Sequence, residues 1–282
     1  MTDRAPRHIG PGPAMRAALT KSEGAHKYDH GHALVLSGGA GRTGAARLAA
    51  RGALRIGAGL VTLGVPGAAQ LEVAMQVTAI MLRRCEDGAA LTALLEDGRL
   101  NALCLGPGLS LARARALVPV ALAEPARSVL LDADALTAFA DDPDALFAAL
   151  HPRCVLTPHG GEFARLFGAP GDDRVASVRA AARLSGAVVL LKGAETVIAA
   201  PDGRAVIASA TGRAAAPWLA TAGSGDVLAG IITGLLARGI APLEAAGFGA
   251  WLHAEAARRV GPGLIAEDLP EALPGVLRDL EC

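Results

Sequence analysis

The sequence predicts an α/β fold: a mostly parallel central sheet with helices on both faces and an antiparallel hairpin late in the chain. Three observations predict it. Seven short, continuously apolar runs recur along the chain, the pattern of strands buried on both faces. Helix-length segments lie between them and supply the crossovers. Glycine, proline and polar residues cluster directly after the runs, where an open α/β sheet binds its ligands.

Taken in order, residues 1–30 are polar, rich in Pro and Gly and without periodicity, and are expected to form a flexible arm or a short lead-in helix. Residues 31–282 are expected to form one catalytic domain. The runs are Ala33–Leu36, Leu60–Leu63, Val77–Leu82, Ala102–Leu105, Ser128–Leu131, Cys154–Thr157 and Val188–Leu191. Helical stretches cover about 43–56, 110–123 and 173–185. Thr196–Ala200 and Ala205–Ala208 flank Pro201-Asp202-Gly203, a turn signal between two β-rich runs, and predict the hairpin. From about Asp226 onward the chain reads as two or more helices. No internal repeat or interdomain linker is visible.

Composition excludes several function classes. The 282 residues are 52% hydrophobic and 19% charged, so the chain can bury a core and is not disordered. Lys+Arg and Asp+Glu are both 27, which leaves no positive surplus for nucleic acid or an acidic membrane surface. Aromatics are 3%, too few for a base-stacking platform, and leave core packing to aliphatic residues and alanine. Trp218 and Trp251 are expected to pack. No run approaches the ~20 apolar residues that span a bilayer, and Met1–Arg7 holds no apolar signal core. Cys85, Cys104, Cys154 and Cys282 show no C-x-x-C spacing, so the expectation is free thiols in the cytoplasm.

The loops carry the chemistry. Gly38–Gly44 follows the first run, Gly106-Pro107-Gly108 the fourth and Asp132-Ala133-Asp134 the fifth. Pro158-His159-Gly160-Gly161-Glu162 follows the sixth and Lys192-Gly193-Ala194-Glu195-Thr196 the seventh. Gly39, Gly41 and Gly44 spell G-x-G-x-x-G, but the acid that a dinucleotide fold needs at the end of the second strand is missing, and Glu72 is the nearest. Ala45 and Ala46 stand where a P-loop needs Lys and Ser/Thr. What survives is a glycine-rich approach to a phosphate or ring ahead of a helix.

Ala222–Asp226 is the strongest local signal. Gly223, Ser224 and Gly225 give a turn whose amides face an anion, and Asp226 sits in the first helical turn. Asp226 reads either as a helix cap or as a general base beside an anion hole. Lys192 is either a solvated strand end or a phosphate ligand. His159 is either a turn histidine or a site residue. Of Asp132 and Asp134, one is expected to cap a helix and the other to face the cleft. His26, His30 and His32 lack metal spacing.

Together, in this order, the motifs Gly38–Ala46, Gly57–Val61, Gly106–Gly108, Asp132–Leu136, Thr157–Glu162, Leu191–Gly193 and Gly223–Asp226 resemble those of the ADP/ATP-dependent (S)-NAD(P)H-hydrate dehydratases over roughly residues 28–260. The resemblance implies a ribokinase-like fold. It implies a hydro-lyase that phosphorylates the ring hydroxyl of hydrated NADH or NADPH with ADP or ATP and Mg²⁺, then expels phosphate. It further implies that Ala45, Gly108, His159 and Asp226 contact the hydrate, and that Lys192, Gly193, Ala194, Glu195, Thr196 and Gly225 contact the nucleotide. Asp226 would be the base, Gly223–Gly225 the anion hole, and Glu162 a Mg²⁺ ligand through water. Ser224 stands where the family carries Thr, and Ala215–Leu219 departs from the family pattern. Homo-oligomers are expected, as is a separate epimerase acting upstream, since residues 1–30 are too few for a further domain. The alternatives are a kinase of the same fold acting on a thiamine-precursor alcohol and a non-catalytic nucleotide-binding regulator.

Overall fold

The computed structural model describes residues 5–282. Among them, ten strands form one sheet: β1 (Arg7–His8), β2 (His32–Leu36), β3 (Leu60–Val65), β4 (Met81–Arg84), β5 (Leu100–Leu105), β6 (Ser128–Leu131), β7 (Cys154–Leu156), β8 (Val188–Leu191), β9 (Glu195–Ala199) and β10 (Ala205–Ser209). Their order is β1-β10-β9-β8-β7-β6-β5-β2-β3-β4. Strands β2 to β8 pair in parallel. β9 runs antiparallel to both β8 and β10, which makes the expected hairpin. The winding direction reverses between β2 and β5, and this is where such a sheet opens a crevice.

Each central strand feeds two cores, because successive side chains point to opposite faces. Ala33 and Val35 of β2 join one cluster while Leu34 and Leu36 join the other. The helices Gly44–Arg55, Ser224–Ala237, Pro242–Val260 and Asp268–Asp279 bury their apolar residues in the first. The helices Leu111–Leu122, Gly160–Phe167 and Arg174–Ser185 bury theirs in the second.

Ser224–Ala237 has almost no polar face, since it lies inside the molecule. It packs against Gly44–Arg55 at glycine contacts. A Cβ on Gly230 would fall 2.0 Å from the Ala49 carbonyl oxygen, and one on Gly234 would fall 2.4 Å from Ile56 Cγ2. That close approach brings together the two helix N-termini that open toward the crevice.

Three segments differ from the sequence reading. The Val77–Leu82 run enters the sheet only at Met81, and β4 continues into exposed Arg83 and Arg84. It is an edge strand, paired only with β3, and charged residues suit such an edge. In the lead-in, expected as an arm or a short helix, the helix Pro13–Leu19 forms and buries Met15 and Leu19, and the unexpected β1 pairs in parallel with β10. Trp218 does not pack: it is 47% exposed, in a 3₁₀ turn. Cys85, Cys104 and Cys154 are buried and free, and Cys282 is exposed. Among the described residues no helix is long and apolar enough to cross a membrane.

Candidate active site

Two loops meet at the reversal between β2 and β5. A Cβ on Gly38 would lie 2.0 Å from the Gly108 carbonyl oxygen, so only glycine allows the two backbones to touch. Gly108 has φ +63, and its Cβ position lies 2.9 Å from the Arg42 carbonyl oxygen and 3.3 Å from Ala45 Cβ. Ala45 and Gly108 are therefore direct neighbours. The carboxylate of Glu72, on the short helix Gln70–Ala74, fastens the loop from outside. It accepts the Gly41 amide at 2.8 Å and the Thr43 hydroxyl. These hydrogen bonds, that of Thr43 first, hold the Glu72 carboxyl below the usual value.

The turn before Ser224–Ala237 is set by Gly223, which takes a left-handed φ of 86° at the N-cap and offers no capping side chain. The amides of Gly223, Gly225 and Asp226 have no hydrogen-bond acceptor among the described residues, while the Ser224 amide reaches the Thr221 carbonyl at 3.4 Å. Free first-turn amides and the helix dipole favour an anion there. Asp226 is not the cap. His253, buried on Pro242–Val260, supports the turn from behind: its Nε2 is 2.9 Å from the Ser224 carbonyl oxygen. A carbonyl can only accept, so Nε2 carries the proton. Burial pushes the imidazole down to about 4 and keeps it neutral.

Charge concentrates around that turn. Lys192, at the end of β8, donates to Asp132 Oδ1 at 2.8 Å, and its Nζ lies 3.6 Å from where a Gly225 Cβ would be. Burial opposes the Lys192 charge, but Asp132 outweighs it and the amine stays above its ordinary value. Burial first, then the Asp132 charge, pushes Asp226 up to about 6, with Asp134 adding to the rise and Lys192 opposing it.

The acids after β6 divide their roles. Asp132 faces the crevice and pairs with Lys192, while Asp134 accepts the Ser110 amide at 2.8 Å. Between them Ala133 is held at φ 45°, ψ −115°, a strained conformation for a residue with a Cβ. Opposite, Gly106 (φ +128) lies against the Asp132 backbone, where a Cβ would fall 1.7 Å from its carbonyl oxygen.

His159 caps Gly160–Phe167: its Nδ1 accepts the Gly161 amide at 2.9 Å, and its own amide donates to Glu162 Oε2 at 2.8 Å. The ring stays exposed while Glu162 is buried. Past Lys192, the Thr196 hydroxyl donates to the Gly193 carbonyl, and Glu195 opens β9 as an exposed residue. Ala194 is likewise exposed, and its carbonyl accepts the Ala210 amide.

The structure thus gathers Lys192, Asp132, Gly225 and Asp226 in one group, and Ala45, Gly108 and Gly38 in another. Leu48 links Gly44–Arg55 to the turn, its Cδ1 lying 2.8 Å from the Gly223 Cβ position. Three residues escaped sequence reasoning. Glu72, the acid nearest the dinucleotide-fold position, instead binds the protein's own loop. His253 lies in an alanine-rich helix with no motif around it. Leu48 looks like any core leucine. Among the described residues no three His, Cys, Asp or Glu side chains form a metal-binding group.

Comparison with known proteins agrees with this geometry. The family model described as NAD(P)H-hydrate dehydratase matches residues 33–273. A bifunctional NAD(P)H-hydrate repair enzyme of Moorella thermoacetica is 45% identical over 94% of this chain and 53% of its own length. The chain spans about half the length of such bifunctional relatives. An ADP-dependent (S)-NAD(P)H-hydrate dehydratase of Xanthomonas campestris is 36% identical over 94% of both chains. The ADP/ATP-dependent NAD(P)H-hydrate dehydratase of Bacillus subtilis, solved after co-crystallisation with ATP/Mg²⁺, superposes with a TM-score of 0.77 at 28% identity, covering 94% of this chain and 96% of its own. On the match across residues 33–273, this chain belongs to the NAD(P)H-hydrate dehydratase family.

Proposed function

We propose that this chain repairs hydrated NADH and NADPH by dehydrating the S epimer at the expense of ADP or ATP. One observation carries the reading: the Asp226 carboxylate, its proton affinity raised, stands at a helix end with free amides and with Lys192 beside Gly225. Hydroxide is a poor leaving group, and a phosphate ester is a good one.

In the first step Asp226 accepts the ring hydroxyl proton as that oxygen attacks the terminal phosphorus, and the bond to the nucleotide oxygen breaks. The amides of Gly223, Gly225 and Asp226 receive the charge on the transferring group. Lys192, with the strand start Gly193–Thr196, holds the nucleotide. In the second step the ring-nitrogen lone pair expels phosphate, and loss of a ring proton restores the double bond. Ala45, Gly108 and the exposed ring of His159 line the hydrate side.

Glu162 is an oxygen donor, which suits a hard cation, and it would hold Mg²⁺ through water. Mg²⁺ held there would offset the negative charge of the phosphate oxygens. A separate R-to-S epimerase is expected upstream, since the proposed reaction takes only the S epimer. We place the enzyme in the cytoplasm, with its substrates, as a homo-oligomer. Leu71 and Met75, 75% and 76% exposed one helical turn apart, give a second copy an apolar patch to cover.

The test is an assay with hydrated NADH. Nucleotide-dependent return of the reduced ring's near-ultraviolet absorbance supports the reading. A stable phosphorylated product points instead to a small-molecule kinase, and binding without turnover to a regulator.

A further inference from the structure

A cavity of about 720 Å³ opens next to the anion-hole turn. Leu48 and Glu267 line it. Leu48 and Ala266, the residue before Glu267, are also the groups that crowd the Gly223 Cβ position, at 2.8 and 2.9 Å. Lys192 instead meets the turn at Gly225. The cavity therefore reaches the turn from the Gly223 side, and the lysine assigned to the nucleotide reaches it from the Gly225 side.

One wall descends the helix Gly44–Arg55 from Gly44, the neighbour of Ala45, through Arg47, Leu48 and Arg51. These positions share one helical face. The segment Val77–Ile80 also lines the cavity, a role for an apolar run that does not join the sheet. Arg51 and Arg55 both bond Glu271. Arg47 differs: the side chain is half-buried and feels the Glu72 charge, but its Nε is buried with no hydrogen-bond partner among the described residues. A buried guanidinium donor left unmet at a cavity wall calls for an anion. The reaction centre, by contrast, is acidic, with Asp132, Asp134 and Asp226 around the single amine of Lys192.

We propose that this cavity binds the adenosine-pyrophosphate half of the hydrated dinucleotide. Arg47 holds the pyrophosphate, and Leu48, Val77 and Ile80 take the adenosine. The volume lies within the ordinary range for a ligand of that size, about 300–1,000 Å³. The proposal rests on the dehydratase reading and adds where the substrate's remote half lies.

The test compares hydrated NADH with the hydrate of reduced nicotinamide riboside, which lacks the pyrophosphate and adenosine. Arg47→Met keeps the apolar stem and removes the guanidinium. The ratio of kcat/KM for the dinucleotide over the riboside is expected to fall about tenfold, the loss of one charge-assisted hydrogen bond. Arg47→Lys is expected to recover part of it. A ratio unchanged within twofold, or an Arg47→Lys variant no better than Arg47→Met, overturns the proposal. Where the riboside hydrate is not turned over, ADP-ribose competing against hydrated NADH is read instead: a tenfold weaker inhibition constant in Arg47→Met supports the site and an unchanged one removes it. If the wild-type chain dehydrates neither hydrate with any nucleotide, the dehydratase reading itself fails and the proposal falls with it.

Discussion

Burial and the Asp132 charge leave Asp226 with an affinity for protons near that of a working base at neutral pH, about 6. Above that value, where the buried carboxyl must ionise, the same shift opposes stability. A carboxyl raised above its unfolded value favours the folded state fully at pH values below that unfolded value. The contribution is lost as pH rises through the folded value, about 6. Asp226→Asn is therefore expected to raise the melting temperature at pH 8 and to lose that gain near pH 4. Its turnover should fall at least ~10²-fold while ADP still binds, by calorimetry. A variant with near-full activity would falsify the base assignment. In the wild type, kcat/KM should decline as pH drops through about 6. Asp132→Asn removes a charge that raises Asp226 and frees Lys192 to lower it, so that limb should move to lower pH. An unmoved limb means that another group titrates.

The Gly38–Thr43 loop and the helix Ser224–Ala237 are held by different means, and their variants should respond differently. The loop is fastened by an exposed carboxylate, so Glu72→Ala and Thr43→Val should each raise the KM for the hydrate several-fold with little change in melting temperature. The double variant should be no worse than Glu72→Ala alone, because that single change already removes the contact that Thr43→Val removes. Fully additive effects would show that the two side chains act apart. The helix is held by backbone approach. Gly230→Ala must displace the Ala49 backbone and should cost about 1–3 kcal/mol in urea unfolding. Gly39→Ala has nothing within 4 Å of the new carbon and should stay within about 0.5 kcal/mol.

These elements also mark what a sequence can convey. Buried parallel strands announce themselves, since every residue of β2, β6 and β8 is buried. The turn at Gly223 is legible because its glycines serve a local conformation. β1 is not, because Arg7 and His8 are exposed and join β10 through the backbone alone. Glu72 and Leu48 act across 29 and more residues of sequence, on partners that no local pattern names. The Val77–Ile80 run has strand composition but spends it on a cavity wall.

Across the molecule, the reversal of strand order between β2 and β5 divides the crevice edge in two. β5 to β8 deliver Asp132, His159 and Lys192, and β2 delivers the glycine-rich loop and the helix that walls the cavity. On the proposed reading the two reactants approach one carboxylate along separate routes, and neither has to leave before the other enters. Double-reciprocal plots of initial velocity should then intersect rather than run parallel, and dead-end analogues of either reactant should bind the free enzyme. Such random-order kinetics needs no phosphorylated protein side chain between the two, and parallel lines would reveal one.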